Sequence, residues 1–523
     1  MLFHPQSDLL WDTWLIEHEE LFYLFYIRLP RSADPRHPPG TMGAGWDAIN
    51  LATSRDLLHW TEWGTVLVKD PEAAWLGTGM VHRSGGRFIM NFSEERPVGQ
   101  QVICFAASED LLHWQRLPRD HDLRADGRLY ASDAAGSADP LPRWDSIGVI
   151  PPAGPGDPYT GVLAADTRNP SRAGQCAVLG LLTSPDGIRW RPRPPATAPG
   201  LFPSYEVPEH VEISGRHYVL FSTNTTAGAR FVPGDPLAQG GTYYVIADAL
   251  AGPYVRPPVH PLLHGHRIAG REFSTYVGRP FTTSQGELLF YHHWAADPPD
   301  GWWGPPKRLV ERRPHVLGLD YWPGCEALKA ASSKAGLTAG AVRPLPASGR
   351  LPVVTWTVGD GNLMSGNAGG AHATQWLEDA PGSGDTPGSG DAPGRRGRIV
   401  ETGLQIRRGR GLGLWVRYRG SASMFVVSLN AESQQVEFGT MTWMRDGSSL
   451  NLHIEELVDF PLTAGVTYQV RLLIRHAFAE IYVDDQLVRS FVCREELEPS
   501  VLGFFSDLAD GTFQDPRRWL MTG

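Results

Sequence analysis

A ten-residue pattern recurs three times in the first 190 residues of this 523-residue chain. LATSRDLLHW (51–60) returns as FAASEDLLHW (105–114) and, more loosely, as LLTSPDGIRW (181–190), and YYVIADALAGPY (243–254) is a degenerate relative. Each of the three copies joins an apolar stretch to a Ser-x-Asp turn, whose side chains can hydrogen-bond the local backbone, and ends on tryptophan. Repetition every 55 to 75 residues, roughly, predicts one structural unit that is used several times.

Short strands and turns dominate the sequence between these copies. The chain has 58 glycines and 44 prolines and few stretches of helical periodicity, which favours an all-β fold. Strand-like segments followed by turns occur at ELFYLFYI (20–27), GRFIMNFS (86–93), YTGVLAAD (159–166), RHYVLFST (216–223) and GELLFYHHW (286–294). Units of about four strands, five of them before about residue 330, predict a five-bladed β-propeller. The alternative is one large sandwich in which the turns recur by coincidence.

The pattern changes after residue 350. EDAPGSGDTPGSGDAPGRRGR (378–398) repeats PGSGD and has too little apolar surface to fold, so we expect a flexible loop or linker there. GLGLWVRYR and TYQVRLLIRHAFAEIYV, further on, predict antiparallel strands. We therefore predict two domains: a propeller over 1–335, and a C-terminal β-sandwich over 336–523 that carries the Pro/Gly-rich insertion.

Charge and cysteine content exclude several classes of protein. The formal net charge of −10 provides no basic field for nucleic acid or for an anionic membrane. Cys104, Cys176, Cys325 and Cys493 are too scattered for a metal knuckle or a disulfide framework, which favours buried thiols in a reducing compartment. The first residues lack the basic and apolar regions of a signal peptide, and no apolar run reaches about 18 residues. We therefore expect a cytoplasmic protein.

Three acids precede strands of three different units. Propellers place active sites at one end of the central channel, where the innermost strand of each blade begins, so acids at the heads of inner strands are the candidates. Asp12 lies in LLWDTW, Asp145 in RWDSIGVI and Glu206 in SYEVPEHVEI. Their spacing predicts that each belongs to a different blade.

Apolar neighbours distinguish two of these acids from ordinary surface carboxylates. Trp11 and Trp14 flank Asp12, and aromatic rings beside a carboxylate lower the local dielectric and suit stacking on a sugar. Glu206 follows a tyrosine, and a carboxyl in apolar surroundings tends to keep its proton and can act as a general acid. Glu209 is a rival that periodicity alone does not exclude.

Two carboxyls that flank a bond, one acid and one nucleophile or base, are the minimal apparatus of glycoside hydrolysis, and the 18 tryptophans suit the apolar faces of sugars. With these residues, the first 330 or so positions resemble the five-bladed propeller of family 32 glycoside hydrolases, the β-fructofuranosidases. They resemble families 43 and 68 more distantly. The tail resembles the β-sandwich that follows the propeller in family 32.

The resemblance implies roles for individual residues. WDTWLIEHEELFYLFYI resembles the N-terminal strand that carries the nucleophile, which implies that role for Asp12, although the usual Asn and Pro neighbours are absent. RWDSIGVI resembles the Arg-Asp motif that stabilises the transition state, which implies Asp145 with Arg143 as its helper, although Trp144 separates the two. YEVPEHVEI resembles the acid/base motif, which implies Glu206.

The second predicted blade supplies further substrate contacts by the same resemblance. WLGTGMVHRSGGRFIMNFS resembles a strand at which an aromatic and a small hydroxyl residue line the sugar pocket, which implies Trp75 and Thr78. Trp11, Trp14 and Arg143 complete the expected substrate-binding set.

The resemblance implies a retaining double displacement on an oligosaccharide or small furanoside, with transfer to another sugar as a variant, and without cofactor or metal. Two alternatives stay open: an inverting arabinofuranosidase- or xylosidase-like hydrolase, and a sugar-binding propeller without catalysis. His264, His266, His292 and His293 invite a metal interpretation, but no ligand set supports it, and hydrogen-bonding histidines are the simpler interpretation.

Overall fold

The computed structural model consists almost entirely of β-strands joined by turns. The chain divides into two compact units: an N-terminal unit over Leu2–Arg267 and Arg271–Trp322, and a C-terminal unit that holds Pro323–Gly523. The predicted all-β class is confirmed, and the predicted boundary after residue 335 stays a prediction. The structure describes residues 3–6, 8–30, 46–96, 99–132, 142–169, 176–223, 240–258, 261–268, 271–296, 301–330, 334–338, 341–345, 355–366, 371–377, 397–443, 450–493 and 495–522.

Four separate antiparallel sheets of four strands follow one another in the N-terminal unit. Within each sheet the strands pair in sequence order, as expected for strands joined by short turns. The strands are β1 (Asp8–His18), β2 (Leu21–Pro30), β3 (Ala48–Ser54), β4 (Thr61–Val68), β5 (Leu76–Ser84), β6 (Arg87–Glu95), β7 (Gln101–Ser108), β8 (Gln115–Arg116), β9 (Trp144–Ile150), β10 (Tyr159–Asp166), β11 (Ala177–Ser184), β12 (Arg191–Arg193), β13 (Glu206–Ile213), β14 (Arg216–Thr223), β15 (Gly241–Ala247) and β16 (Leu263–His264).

A fifth group of strands ends the N-terminal unit. It comprises β17 (His266–Ile268), β18 (Arg271–Thr282), β19 (Leu288–Ala296), β20 (Trp302–Trp303), β21 (Lys307–Arg313) and β22 (Val316–Tyr321). β18 pairs with β19, β19 with β21 and β21 with β22, all antiparallel. The first strands β1, β5, β9 and β13 contact one another in that order, and β18 contacts both β13 and β1. This closed ring confirms a propeller arrangement.

The Ser-x-Asp turns that the repeat predicts all form. Asp56 Oδ1 accepts hydrogen bonds from the backbone N–H groups two and three residues further on, and Asp110 and Asp186 do the same. In each copy the serine hydroxyl two residues earlier also bonds the aspartate carboxyl. Because each turn satisfies its own backbone, the same ten residues can close a hairpin in three different sheets.

Apolar side chains fill the space between successive sheets. One buried cluster joins the first sheet to the second, with Phe25 and Phe92 among its members. A second cluster joins the second sheet to the third, with Phe105 and Leu163, and a third joins the third sheet to the fourth. The strands are therefore buried on both faces, which explains why many of them are apolar throughout rather than alternating.

Two long strands organise the C-terminal unit. β28 (Arg398–Tyr418) pairs with β35 (Leu497–Leu520), and also with β29 (Met424–Asn430) and β32 (Thr467–Arg475), so that antiparallel strands extend on both sides of it. The unit contains β23 (Ala335–Gly336), β24 (Val342–Pro344), β25 (Thr355–Gly359), β26 (Asn362–Gly366), β27 (Ala371–Trp376), β28 (Arg398–Tyr418), β29 (Met424–Asn430), β30 (Gln435–Trp443), β31 (Leu450–Asp459), β32 (Thr467–Arg475), β33 (Phe478–Val483), β34 (Gln486–Val492) and β35 (Leu497–Leu520). The predicted Pro/Gly-rich linker lies outside the described residues as far as residue 396.

All four cysteines are buried, as the sequence predicts. Short 3-10 turns at Arg119–His121 and Pro323–Leu328 interrupt the strands. Across the described ranges, no helix is long and apolar enough to span a membrane.

Candidate active site

The first strand of each sheet is irregular where the candidate residues lie. The register of β1 shifts at Asp12, that of β9 next to Asp145, and that of β13 directly after Glu206. β5 and β18 shift in the same way, after Leu76 and Tyr276. A bulge re-aims side chains out of the regular alternation of a strand, and bulges are frequent beside active sites. Register shifts therefore occur in β1, β5, β9, β13 and β18 alike.

The three predicted acids lie together and are buried. Asp12, Asp145 and Glu206 are 7%, 5% and 4% exposed. Arg143 Nη2 lies 2.7 Å from Glu206 Oε1, and Arg143 Nη1 lies 3.7 Å from Asp145 Oδ2. Burial, reinforced by the negative charges of Asp145 and Glu206, raises the pKa of Asp12 to about 8. In the free protein at neutral pH, Asp12 therefore carries a proton.

Hydrogen-bond donors surround the carboxylate of Asp145. Ser93 Oγ donates at 2.5 Å and Gln101 Nε2 donates at 3.3 Å, and the backbone N–H of Ser146 donates at 2.9 Å. The Gln101 side chain is itself oriented because its oxygen accepts a hydrogen bond from the backbone N–H of Trp144. These donors fix an acceptor carboxylate in place, as expected of a group that anchors a ligand rather than one that transfers protons.

Backbone strain accompanies Glu206. Val207 has a φ of 48° and Val277 has a φ of 52°, a left-handed conformation that β-branched residues rarely adopt. The two valines pack in one buried cluster with Tyr276, whose hydroxyl donates to Glu206 Oε2 at 3.4 Å. Strained backbone of this kind persists only where the surroundings enforce it, and it concentrates at functional sites.

Aromatic rings adjoin the acids on one side. The ring of Trp11 lies 6.1 Å from that of Trp46 and nearly parallel to it, and 5.6 Å from both Tyr276 and His293. Trp75 meets Trp46 edge to face at 6.0 Å. Trp11 and Trp46 are partly buried, so part of each ring is open to a ligand. Trp46 and Tyr276 were not predicted from the sequence, and His293 was considered there only as a possible metal ligand.

One predicted substrate contact belongs to the core instead. Trp14 is 1% exposed, and its ring stacks on Phe25 at 6.1 Å. A Cβ at Gly79 would lie 3.0 Å from the ring of Trp14, so this glycine permits close packing of β5 on β1. The structure thus places Trp14 in the apolar core between the first two sheets, which argues against its predicted contact with substrate.

Arg279 is the second cation of the site, and no motif pointed to it. It is 2% exposed, and its Nη2 donates to Thr78 Oγ1 at 3.0 Å and to the Gly79 carbonyl at 3.1 Å. Its Nη1 lies 3.5 Å from Glu209 Oε2. The charge of Arg279 lowers the pKa of Asp12 against the larger effect of burial. Thr78, predicted to line the sugar pocket, is thus 1% exposed and bonded to this guanidinium.

The histidines that invited a metal interpretation have other surroundings. His292 Nε2 lies 3.1 Å from Lys307 Nζ, and burial lowers the pKa of His293 to about 3, so that its ring is neutral beside Trp11. Within the part of the chain that the structure describes, no group of three or more His, Cys, Asp and Glu side chains could hold a metal ion.

The ring of strands and the acids at its bulges define an all-β propeller with a buried carboxyl cluster. Two solved structures are similar along the whole chain. One is a fructofuranosidase from Schwanniomyces occidentalis complexed with fructose (TM-score 0.64, 10% identity, covering 100% of this chain and 97% of that one), and the other is the β-fructofuranosidase of the same organism complexed with fructosyl-erythritol (0.61, 10%, 100% and 97%). Comparisons with protein families and with curated proteins found no match. The chain therefore has the propeller fold of these glycoside hydrolases.

Proposed function

We propose that the protein is a retaining glycoside hydrolase that releases or transfers a terminal furanosyl unit, with fructofuranosyl as the first candidate. The observation that carries the proposal is the buried cluster in which Arg143 joins Asp145 to Glu206 beside Asp12. Two carboxyls, one of them protonated, are what double displacement at an anomeric carbon requires. The fold shared with fructofuranosidases that bind fructose and fructosyl-erythritol supports the choice of sugar.

Glu206 and Asp12 share the proton that the reaction uses. In the first step Glu206 donates its proton to the glycosidic oxygen as the carbon–oxygen bond breaks, and an Asp12 oxygen bonds to the anomeric carbon. In the second step Glu206 takes a proton from water or from a sugar hydroxyl. The oxygen of that water or hydroxyl bonds to the anomeric carbon as the bond between that carbon and Asp12 breaks. In the free protein Asp12 holds the proton, and Arg143 favours the charged form of Glu206. The productive state therefore has the same net charge as the free protein, but its proton has moved from Asp12 to Glu206.

We extend the proposal to the architecture. β18, β19, β21 and β22 pair as the strands of the other sheets do, and β18 closes the ring between β13 and β1, so we take this group as the fifth blade. The antiparallel strands on both sides of β28 support a β-sandwich for the C-terminal unit. Asp145 would anchor ring hydroxyls, and Trp11, Trp75, Thr78 and Arg143 remain the proposed substrate contacts.

One observation favours a second candidate, an inverting hydrolase. A pKa near 8 suits a general base that activates water, because the best base titrates near the operating pH. An inverting site separates its carboxyls by about 6.5 to 9.5 Å, whereas a retaining site separates them by about 5 to 5.5 Å. Proton NMR of the first product formed distinguishes the two, since retention and inversion release opposite anomers.

The test is a screen of the purified protein on sucrose, on inulin and levan fragments, and on chromogenic fructo- and arabinofuranosides. We expect release of free sugar, and loss of turnover by about 10²-fold or more in D12N and E206Q. D248N is the matched control, because Asp248 is an exposed acid of the same unit that pairs with Arg216. Sugar binding without any release would identify a non-catalytic propeller, and full activity in D12N or E206Q would refute the assignment.

A further inference from the structure

The guanidinium of Arg279 links strands of three sheets. Arg279 lies in β18, its Nη2 bonds Thr78 and the Gly79 carbonyl of β5, and its Nη1 faces Glu209 of β13. The cation is 2% exposed and the side chain of Glu209 is 16% exposed. A buried arginine held from two sides is a fixed charge, because its planar fork cannot rotate without losing both contacts.

Two unsatisfied atoms point to what this charge serves. Among the described residues, Nε of Arg279 and Oδ1 of Asp12 are buried polar atoms without a hydrogen-bond partner. Unpaired buried groups are costly, and they concentrate where a site waits for a ligand or a charge change. Arg279 therefore has spare donor capacity in the same buried region in which Asp12 lacks a donor.

We propose that Arg279 is a positioning residue for Asp12, and that Glu209 holds its guanidinium where the positive charge stabilises ionised Asp12. The proposal rests on the proposed function only for the role of Asp12 as nucleophile. It also gives Glu209, the sequence-level rival of Glu206, a different task from proton transfer. Arg279 itself acts through Asp12.

Several charged or titratable groups face this pair. Burial raises the pKa of Glu209 to about 7, and the charge of Arg279 opposes that rise. The groups that face Asp12 are Asp145, Glu206, Arg279 and Tyr276, and those that face Arg279 are Glu209, Tyr291 and His293. Because burial keeps His293 and Tyr291 neutral, Glu209 is the group of the second set that ionises, above its pKa of about 7.

The ionisation of Asp12 can be measured without activity. Its folded pKa of about 8 lies above its unfolded value of about 3.9, so Asp12 stabilises the fold below pH 4, roughly, and this contribution falls as pH rises toward 8. Asparagine does not titrate. The difference in Tm between D12N and the parent should therefore grow with pH and become constant above the folded pKa of Asp12.

The pH at which this difference becomes constant reports on Arg279. In the R279Q background we expect this pH to rise by about 1 to 3 units, because Asp12 loses the opposite charge that lowers its pKa. With R279K the rise should be smaller. E209Q and E209A are both uncharged at 209, but only glutamine keeps an oxygen to hold the guanidinium. The Tm difference caused by D12N should therefore become constant at a higher pH in the E209A background than in the E209Q background. R312Q is the matched control, since Arg312 pairs with Asp320 in the same group of strands.

The outcomes separate this proposal from the proposed function. If no furanoside is turned over, the enzyme assignment fails while the stability curves still test the effect of Arg279 on Asp12. The proposal would be overturned if the Tm difference caused by D12N depended on pH in the same way in the parent and in the R279Q background. If R279Q does not fold, equal curves for E209Q and E209A would overturn the part played by Glu209. Loss of turnover in E209Q that azide restores would also overturn it, because Glu209 would then be the acid/base.

Discussion

Arg143 reaches from the start of one sheet to Glu206 at the start of the next, with Nη2 2.7 Å from Oε1. Trp144, which separates Arg143 from Asp145 in the sequence, is buried to 1% exposure. Although the two residues are not adjacent, Arg143 lies beside two carboxylates, those of Asp145 and Glu206.

Removing this cation should alter the pH dependence of catalysis. In R143Q the charged form of Glu206 loses its nearest partner, so we expect the alkaline limb of the pH–rate profile to move to higher pH. Turnover should fall by about 10²-fold, as for other positioned electrostatic contacts, and R143K should retain part of it. The measurement is kcat/KM from pH 4 to 10 on the best furanoside. An unchanged alkaline limb would show that Arg143 does not control Glu206.

Mutations of Trp11 and Trp14 should have different effects on stability and activity, although only two residues lie between them. W14A removes a ring from the core between the first two sheets and should reduce the free energy of unfolding by about 3 to 5 kcal/mol. W11A removes a partly exposed ring beside His293 and Tyr276 and should lower kcat/KM by about tenfold with a much smaller change in stability. Urea unfolding and steady-state kinetics of both variants check this. Equal stability losses would place Trp11 in the core as well.

Local patterns in the sequence predicted the propeller because each unit closes on itself. The serine and aspartate of the repeat act within a few residues, so their spacing is visible without tertiary information. The fifth group of strands has no copy of the turn. Arg279 and Tyr276, which lie in that group, were missed for this reason.

The candidate acids were predictable from their place before strands, whereas the directions of their neighbours were not. A regular strand alternates its side chains, but the bulge at Asp12 pairs Trp11 with Ile27 and Thr13 with Tyr26. One inserted residue thus changes which side chains share a face, and no residue type announces it. Because of this bulge, Trp11 and Trp14 pair with Ile27 and Phe25, which are two residues apart, and so they share a face.

The left-handed conformation of Val207 should reverse the usual order of alanine and glycine. Both V207A and V207G remove the side chain from the cluster with Tyr276 and Val277, but only glycine adopts a φ of 48° without strain. We expect V207G to be more stable than V207A by about 1 kcal/mol in urea unfolding, with lower kcat because Glu206 is held less firmly. Greater stability of V207A would show that Val207 is not strained.

The loose third copy of the repeat has a structural reason that leads to the last prediction. Its turn has Gly187 where the other copies have Leu57 and Leu111, all with positive φ. A Cβ at Gly187 would lie 2.7 Å from His82 Nε2, which instead donates to the Gly187 carbonyl at 3.1 Å and so joins the second sheet to the third. Burial lowers the pKa of His82 to about 4.

His82 should therefore make the fold sensitive to acid. Its folded pKa lies below the unfolded value of about 6.5, so the unfolded chain takes up the proton first, and stability is lost as pH falls from about 6.5 through 4. At about 1.4 kcal/mol per unit the loss approaches 3 kcal/mol. H82Q keeps a donor for the Gly187 carbonyl but does not titrate, so we expect it to lose less stability than the parent between pH 7.5 and about 4.5. Other buried histidines such as His210 contribute equally to the parent and to H82Q. The difference between the unfolding curves of these two proteins therefore isolates His82. Equal losses of stability in acid would refute its role.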